Sequence, residues 1–125
     1  MTDTNPVTDL QYKNFAEIPV EHLNPLIERQ FVYGEQSMLA RLLLRKGAIV
    51  PRHSHVNEQI TYILDGALEF TMGDGRVITV RTGEVLVIPS NMVHQAVALE
   101  DTIDLDVFTP PREDWIAGTD AYLRG

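Results

Sequence analysis

Turn signals recur so closely along this sequence that no segment has room for more than a short strand or a short helix. Asn24-Pro25, Gly34, Gly47, Asp65-Gly66, Gly73-Asp74-Gly75, Thr82-Gly83, Pro89, Glu100-Asp101 and Thr109-Pro110-Pro111 punctuate it. Asp-Gly is a hairpin signal, and proline cannot donate to a strand ladder. The runs between these breaks alternate. Leu26 to Tyr33 reads as the first strand. In Ser37 to Arg45, Met38, Ala40, Leu42 and Leu44 share one face, and Leu39, Arg41, Leu43 and Arg45 the other. A helix competes for this leucine-rich run; its short length and flanking glycines favour strand. Gln59 to Leu64, Ala67 to Met72, Val77 to Arg81, Met92 to Leu99 and Thr102 to Phe108 follow as further strands. Val85 to Ile88 is nearly all apolar, which predicts a strand buried on both faces. Trp115 to Leu123 predicts a short C-terminal helix or arm. Strands this short, spaced roughly 8–12 residues apart, indicate an all-β sandwich or barrel.

A chain of 125 residues, 44% of them hydrophobic, sets one domain with a real core as the expectation. Residues 1–13 read as a polar tail and residues 14–125 as the domain. Ten basic against 18 acidic residues give a formal charge of −8, which opposes nucleic acid and anionic membranes as partners. Cysteine is absent, so disulfides, zinc–thiolate sites and thiol nucleophiles are excluded. Met1 to Asp9 carries no basic region followed by an apolar run, and no apolar stretch approaches the ~20 residues of a membrane helix. A soluble, cytoplasmic protein is the expectation.

The chemistry gathers in two stretches. His53 and His55 stand one residue apart, and in extended chain such residues share a face, roughly 6–7 Å apart at the backbone. Gln59 adds an oxygen donor, and His94 follows a second short apolar strand and a Pro-containing turn. Three neutral imidazoles and an amide oxygen suit nickel, zinc, iron(II), manganese or cobalt, one ion per chain. With glutamine in place of a carboxylate the ion keeps its full charge, which makes it a stronger Lewis acid. The alternative is an amide at Gln59 that hydrogen-bonds without touching metal. Glu58 points to the opposite face, and His22 lies apart, on the surface.

The other stretch is Asp104 to Arg112. Asp104, Asp106 and Phe108 alternate with Ile103, Leu105 and Val107. Either the apolar set fills a barrel and the acids are solvated, or the acids face a pocket and the apolar set meets an outer layer or a partner subunit. In a pocket, an acid has a raised pKa and can exchange protons near neutrality. Arg112, beyond the Pro110-Pro111 bend, can return over the mouth and grip a carboxylate.

Gly47, His53, His55 and Gly66, with Gln59 where an acid is usual, resemble the first cupin motif. Gly83, Pro89 and His94 resemble the second, with Asn91 replacing a glycine and Ala98 standing where asparagine is common. Asparagine tolerates the left-handed conformation that such a turn demands. The resemblance spans roughly residues 34 to 112 and implies a small double-stranded β-helix, a jelly-roll-like barrel with a metal in its mouth. His53-Ser-His55-x-x-Glu-Gln59-Ile-Thr-Tyr and Asp106-Val-Phe108-Thr-Pro-Pro-Arg112 resemble more narrowly the KdgF-type cupins of pectin and alginate breakdown. That family opens the ring of 4,5-unsaturated uronates to 5-keto-4-deoxyuronate. The resemblance implies His53, His55, His94 and Gln59 as ligands, with Gln59 also orienting substrate. It implies Asp106 as proton carrier, Phe108 as a substrate wall and Arg112 as carboxylate clamp. A sugar acid as the small-molecule partner and a homodimer follow as expectations. A cupin oxygenase and a non-catalytic sugar-binding cupin are the rival readings.

Overall fold

The computed structural model describes residues 8–124 of the chain. The polar-tail reading of residues 1–13 therefore falls in part, at 1–7, outside the described residues. Among these described residues, ten strands form two antiparallel sheets. The larger has the order β1 (Glu21–Asn24), β2 (Ile27–Tyr33), β3 (Met38–Leu44), β10 (Thr102–Thr109), β5 (Glu58–Asp65) and β8 (Val85–Ile88). The smaller has the order β4 (Ile49–His53), β9 (His94–Ala98), β6 (Ala67–Met72) and β7 (Val77–Arg81). α1 (Glu113–Ala117) and α2 (Ala121–Arg124) follow the last strand. Among the described residues, no helix is long and apolar enough to cross a membrane.

Alternation drives the packing. Met38, Ala40, Leu42 and Leu44 are buried while the residues between them are half-buried, so β3 is a strand with its even-numbered face inward. Leu68, Phe70 and Met72 on β6 and Ala96 and Ala98 on β9 line the opposite wall of one core. β10 lies between β3 and β5 and is paired along its length with both. The chain crosses from the large sheet to the small one at Gly66, where φ is 106°. A Cβ there would stand 2.5 Å from both the Asp101 carbonyl oxygen and Thr102 Oγ1, so only glycine fits this corner.

Two expectations are corrected. Val85 to Ile88 is not buried on both faces: β8 is the edge of the large sheet, with Val85 62% and Val87 53% exposed, and only Ile88 is fully buried. An apolar run alone does not say how many layers cover a strand. Leu26 to Tyr33 is also not the first strand. β1 precedes it, joined by the turn at Asn24-Pro25, with Asn24 Oδ1 accepting from the Leu26 amide.

Candidate metal centre and acidic chamber

The three motif histidines come together. His53 ends β4 and lies directly across from His94, which begins β9. His55 is not on a strand, contrary to the simple alternation argument. It sits in the loop between β4 and β5 and reaches the same place because that loop is tied down. The Asn91 amide donates to the His55 carbonyl at 2.8 Å, and Ser90 Oγ donates to the Val56 carbonyl. Asn91 holds the left-handed conformation with φ 65°, as its place in the turn led one to expect. The turn of the second motif thus positions a histidine of the first.

Ring centroids stand 4.4 Å apart for His53 and His94, 5.2 Å for His55 and His94, and 5.5 Å for His53 and His55. One ligand atom from each lies within 4.8 Å of the others, so the group can hold a metal ion. Each Nδ1 meets a backbone carbonyl: Pro51 for His53 (2.7 Å), Asn57 for His55 (2.9 Å) and Met92 for His94 (2.8 Å). A carbonyl only accepts, so each Nδ1 carries the proton and each Nε2 keeps a lone pair. Burial drives His53 and His55 down to about 4 and also lowers His94, with the Arg112 charge adding to the effect in all three. The imidazoles are therefore neutral at pH 7, as ligation requires.

Gln59 lies where it could add an oxygen donor to the three histidines. Its Nε2 donates to Thr61 Oγ1 at 2.8 Å, which turns its Oε1 toward His55 Nε2, 3.1 Å away. An amide oxygen facing an imidazole lone pair is a contact between two acceptors, and a cation between them reconciles it. The chemistry of these residues thus fits a divalent ion. Glu58 is exposed on the other face of β5, and His22 is a surface residue 3.7 Å from Glu28.

The acids face inward. Asp104, Asp106 and Phe108 are buried, while Ile103, Leu105 and Val107 lie on the outer face of β10. Thr61, the cross-strand partner of Asp106, donates to its Oδ1 at 2.7 Å. Gln59, Thr61 and Asp106 therefore form one hydrogen-bonded chain from the histidines to the carboxyl. Burial pushes Asp106 up to about 6, partly offset by bonds from Asp104 and Thr61. Asp104, deeper in the barrel, is raised well above the usual carboxylate range by burial and by Asp106, and its Oδ1 has no partner.

Arg112 is buried, with its guanidinium 5.0 Å from the Phe108 ring and 4.7 Å from Trp115. Its Nε and Nη2 donate to Asp114, and Nη2 also donates to the Tyr122 hydroxyl at 2.6 Å. Asn57 Nδ2 bonds both the Pro110 and Pro111 carbonyls and so fixes the bend that delivers Arg112. His53, Gln59, His94, Asp106, Phe108 and Arg112 line a single chamber of about 40 Å³, together with Trp115 and Tyr122. Thr61, Asn57 and Tyr122 were missed in the sequence. Thr61 had a signal, since it shares the inward face of β5 with Gln59; Tyr122 had none.

A family model described as the cupin domain matches residues 40–109. No curated protein matches the chain. Among solved structures, KdgF from Halomonas sp. is similar at 29% identity and a TM-score of 0.77, over 84% of this chain and 99% of that one. An RmlC-like cupin from Shewanella frigidimarina NCIMB 400 is 24% identical with a TM-score of 0.79, over 87% and 98% of the two chains. The polyketide cyclase RemF from Streptomyces resistomycificus is 19% identical with a TM-score of 0.70, over 82% and 80%. The last two likenesses show the fold alone.

Proposed function

The chain belongs to the cupin family, and we propose that within it the protein is a metal-dependent isomerase that opens the ring of a 4,5-unsaturated uronate. One observation carries the reading. A buried carboxyl with a raised pKa is wired through Thr61 to the glutamine of a three-histidine group, with Phe108 and Arg112 in the same chamber. The resemblance to KdgF-type cupins includes these residues, and the likeness to the Halomonas protein supports it.

The reaction balances without a co-reactant. The anomeric hydroxyl loses its proton and becomes an aldehyde as the bond from C1 to the ring oxygen breaks. The ring oxygen becomes the C5 ketone, and C4 gains a proton. A divalent ion held by His53, His55, His94 and Gln59, whether nickel, zinc, iron, manganese or cobalt, would supply Lewis acidity and a positive anchor for anionic oxygens. Asp106, raised to about 6 and so mostly ionised at neutral pH with its proton still easily exchanged, takes the hydroxyl proton and returns one to C4. Phe108 walls the sugar, and Arg112 pairs with its carboxylate. The test is anaerobic incubation of each metal-loaded form with unsaturated galacturonate, following loss of ultraviolet absorbance. Absorbance lost only with oxygen present would favour the oxygenase reading; binding without turnover would favour a sugar-binding cupin.

We also propose that two copies pair through the outer face of the large sheet. Leu39, Val107, Ile60 and Val87 lie side by side across four strands, and Leu105, Tyr62 and Val85 make a second row. Ile60, Tyr62, Val85 and Val87 are all exposed, so a wide apolar face has no cover among the described residues.

A further inference from the structure

The chamber is too small for what the site is built to handle. Ligand pockets run roughly 300–1,000 Å³, against about 40 Å³ here. The space is taken by α2. The Tyr122 ring stacks on His53 at 4.7 Å, and its hydroxyl accepts from Arg112 Nη2 at 2.6 Å and lies 3.4 Å from Trp115 Nε1. Tyr122 thus covers a candidate metal ligand and occupies the cation in the same chamber. Leu123 is buried beneath it.

Beside the inward contacts of Tyr122 and Leu123, the segment is held by a set of polar bonds on its outer side. Asp120 Oδ2 pairs with Arg29 Nη1 at 2.6 Å, both side chains being fully buried, and Asp120 Oδ1 accepts from Arg124 Nε at 3.0 Å. Glu21 in turn pairs with Arg29 and with Arg124. Asn24 Nδ2 donates to the Leu123 carbonyl at 2.9 Å. Apart from Arg124, which belongs to the segment itself, these anchors lie on β1 and β2, outside the chamber. On the other side the segment is joined through Gly118, which ends α1 in the left-handed conformation with φ 71°. A Cβ at Gly118 would meet nothing within 4 Å, so the bend there is uncrowded, and turning it breaks the capping bonds from the Gly118 and Thr119 amides to the Trp115 and Asp114 carbonyls.

We propose that residues 119–124 are a hinged lid and that Tyr122 is its plug: the segment turns about Gly118, the Arg29–Asp120 pair latches it shut, and Tyr122 leaves His53 and Arg112 when a ligand enters. The closed form is the one seen here. A carboxylate makes a stronger bond to Arg112 than a phenol does, so an acidic ligand competes well for the place of the plug. That last clause rests on the uronate reading; the gating does not.

The test uses the full chain with zinc as probe and no sugar. Zinc alone would have the same ligands with the lid open or closed, so the gate scales its rates in and out by the fraction of time it is open and leaves the equilibrium unchanged. In Asp120→Asn and Tyr122→Ala, zinc uptake and zinc loss to excess chelator should both rise by the same factor, of order tenfold, with Kd unchanged. Acrylamide quenching of Trp115, the only tryptophan of the chain and buried beneath the lid, should rise in Asp120→Asn in parallel. Circular dichroism checks that each variant keeps its sheets. Should Asp120→Asn fail to fold because the buried Arg29 loses one of its two carboxylate partners, Tyr122→Ala carries the test through the two zinc rates. Wild-type rates in the folded variants would overturn the lid. A changed Kd with only one rate altered would overturn it as well, because Tyr122 would then be shaping the ligand set and not gating it.

Discussion

At the scale of single residues, the two buried carboxyls divide their roles. Asp106→Asn should retain metal and fold and lose turnover by roughly 10²–10⁴-fold on unsaturated galacturonate, the range typical of a general acid–base group. Full activity in that variant would remove Asp106 from the reaction. Asp104 lines the same chamber, and its unpartnered Oδ1 is a structural liability. Its folded pKa lies above the ordinary value of 3.8, so the folded chain holds a proton that the unfolded chain releases. Its contribution to stability is therefore present below pH 3.8 and is lost as pH rises toward the raised value. His53 and His55 work oppositely: their contribution is present above 6.5 and is lost as pH falls toward about 4. The difference between wild type and Asp104→Asn cancels the histidines. Denaturant titrations across pH 4–7 should show the variant gaining on wild type as pH rises, by about 1–3 kcal/mol at the upper end. His53, His55 and Gln59 were legible in the sequence because their spacing is local, and His94 because it follows Gly83 and Pro89 in a local motif of its own. Thr61 needed the cross-strand register with Asp106, and Tyr122 needed the path of the chain after α1, neither of which any local pattern encodes.

Among the elements, alternation read well wherever a strand had one wet and one dry side. β3, β6 and β10 are legible in this way, and for β10 the structure resolves the choice between its two faces: the acids look inward. The reading failed at β8, where an outward pair of valines sits on an edge and mimics a doubly buried strand. It failed again at β1, too short for any period to show. The corner between β5 and β6 was visible as Asp65-Gly66, but not as the crossing between sheets. Gly66→Ala would press a methyl into the Asp101–Thr102 backbone at a positive φ. The expected loss is at least about 2–3 kcal/mol, from strain and overpacking together, read as a lowered denaturation midpoint. An unchanged midpoint would show that the corner can relax.

For the molecule as a whole, the consequence of the acids facing inward is that Ile103, Leu105 and Val107 face outward, beside the exposed residues of β5 and β8. A stable pair of subunits buries about 800 Å² on each partner, and this sheet face is where such an area is available. Light scattering should return twice the chain mass. Tyr62→Glu with Val87→Glu should return the chain mass, since the substitutions place like charges on a two-fold contact. A wild type of single-chain mass at working concentration would rule the pairing out.

The donor set is divided between the two sheets: His53 and His94 come from the small one, His55 from the connecting loop, and Gln59 from the large one. An ion bound there acts as a cross-link in a chain that has no cysteine with which to make one. It ties residues 41 positions apart in sequence, from His53 to His94, and pins one wall of the barrel to the other. Chelation should therefore lower Tm as well as abolish activity, with acidification toward pH 4 reproducing the loss as the imidazoles take up protons. An ion there would be a rivet in the scaffold as much as a reagent in the chamber.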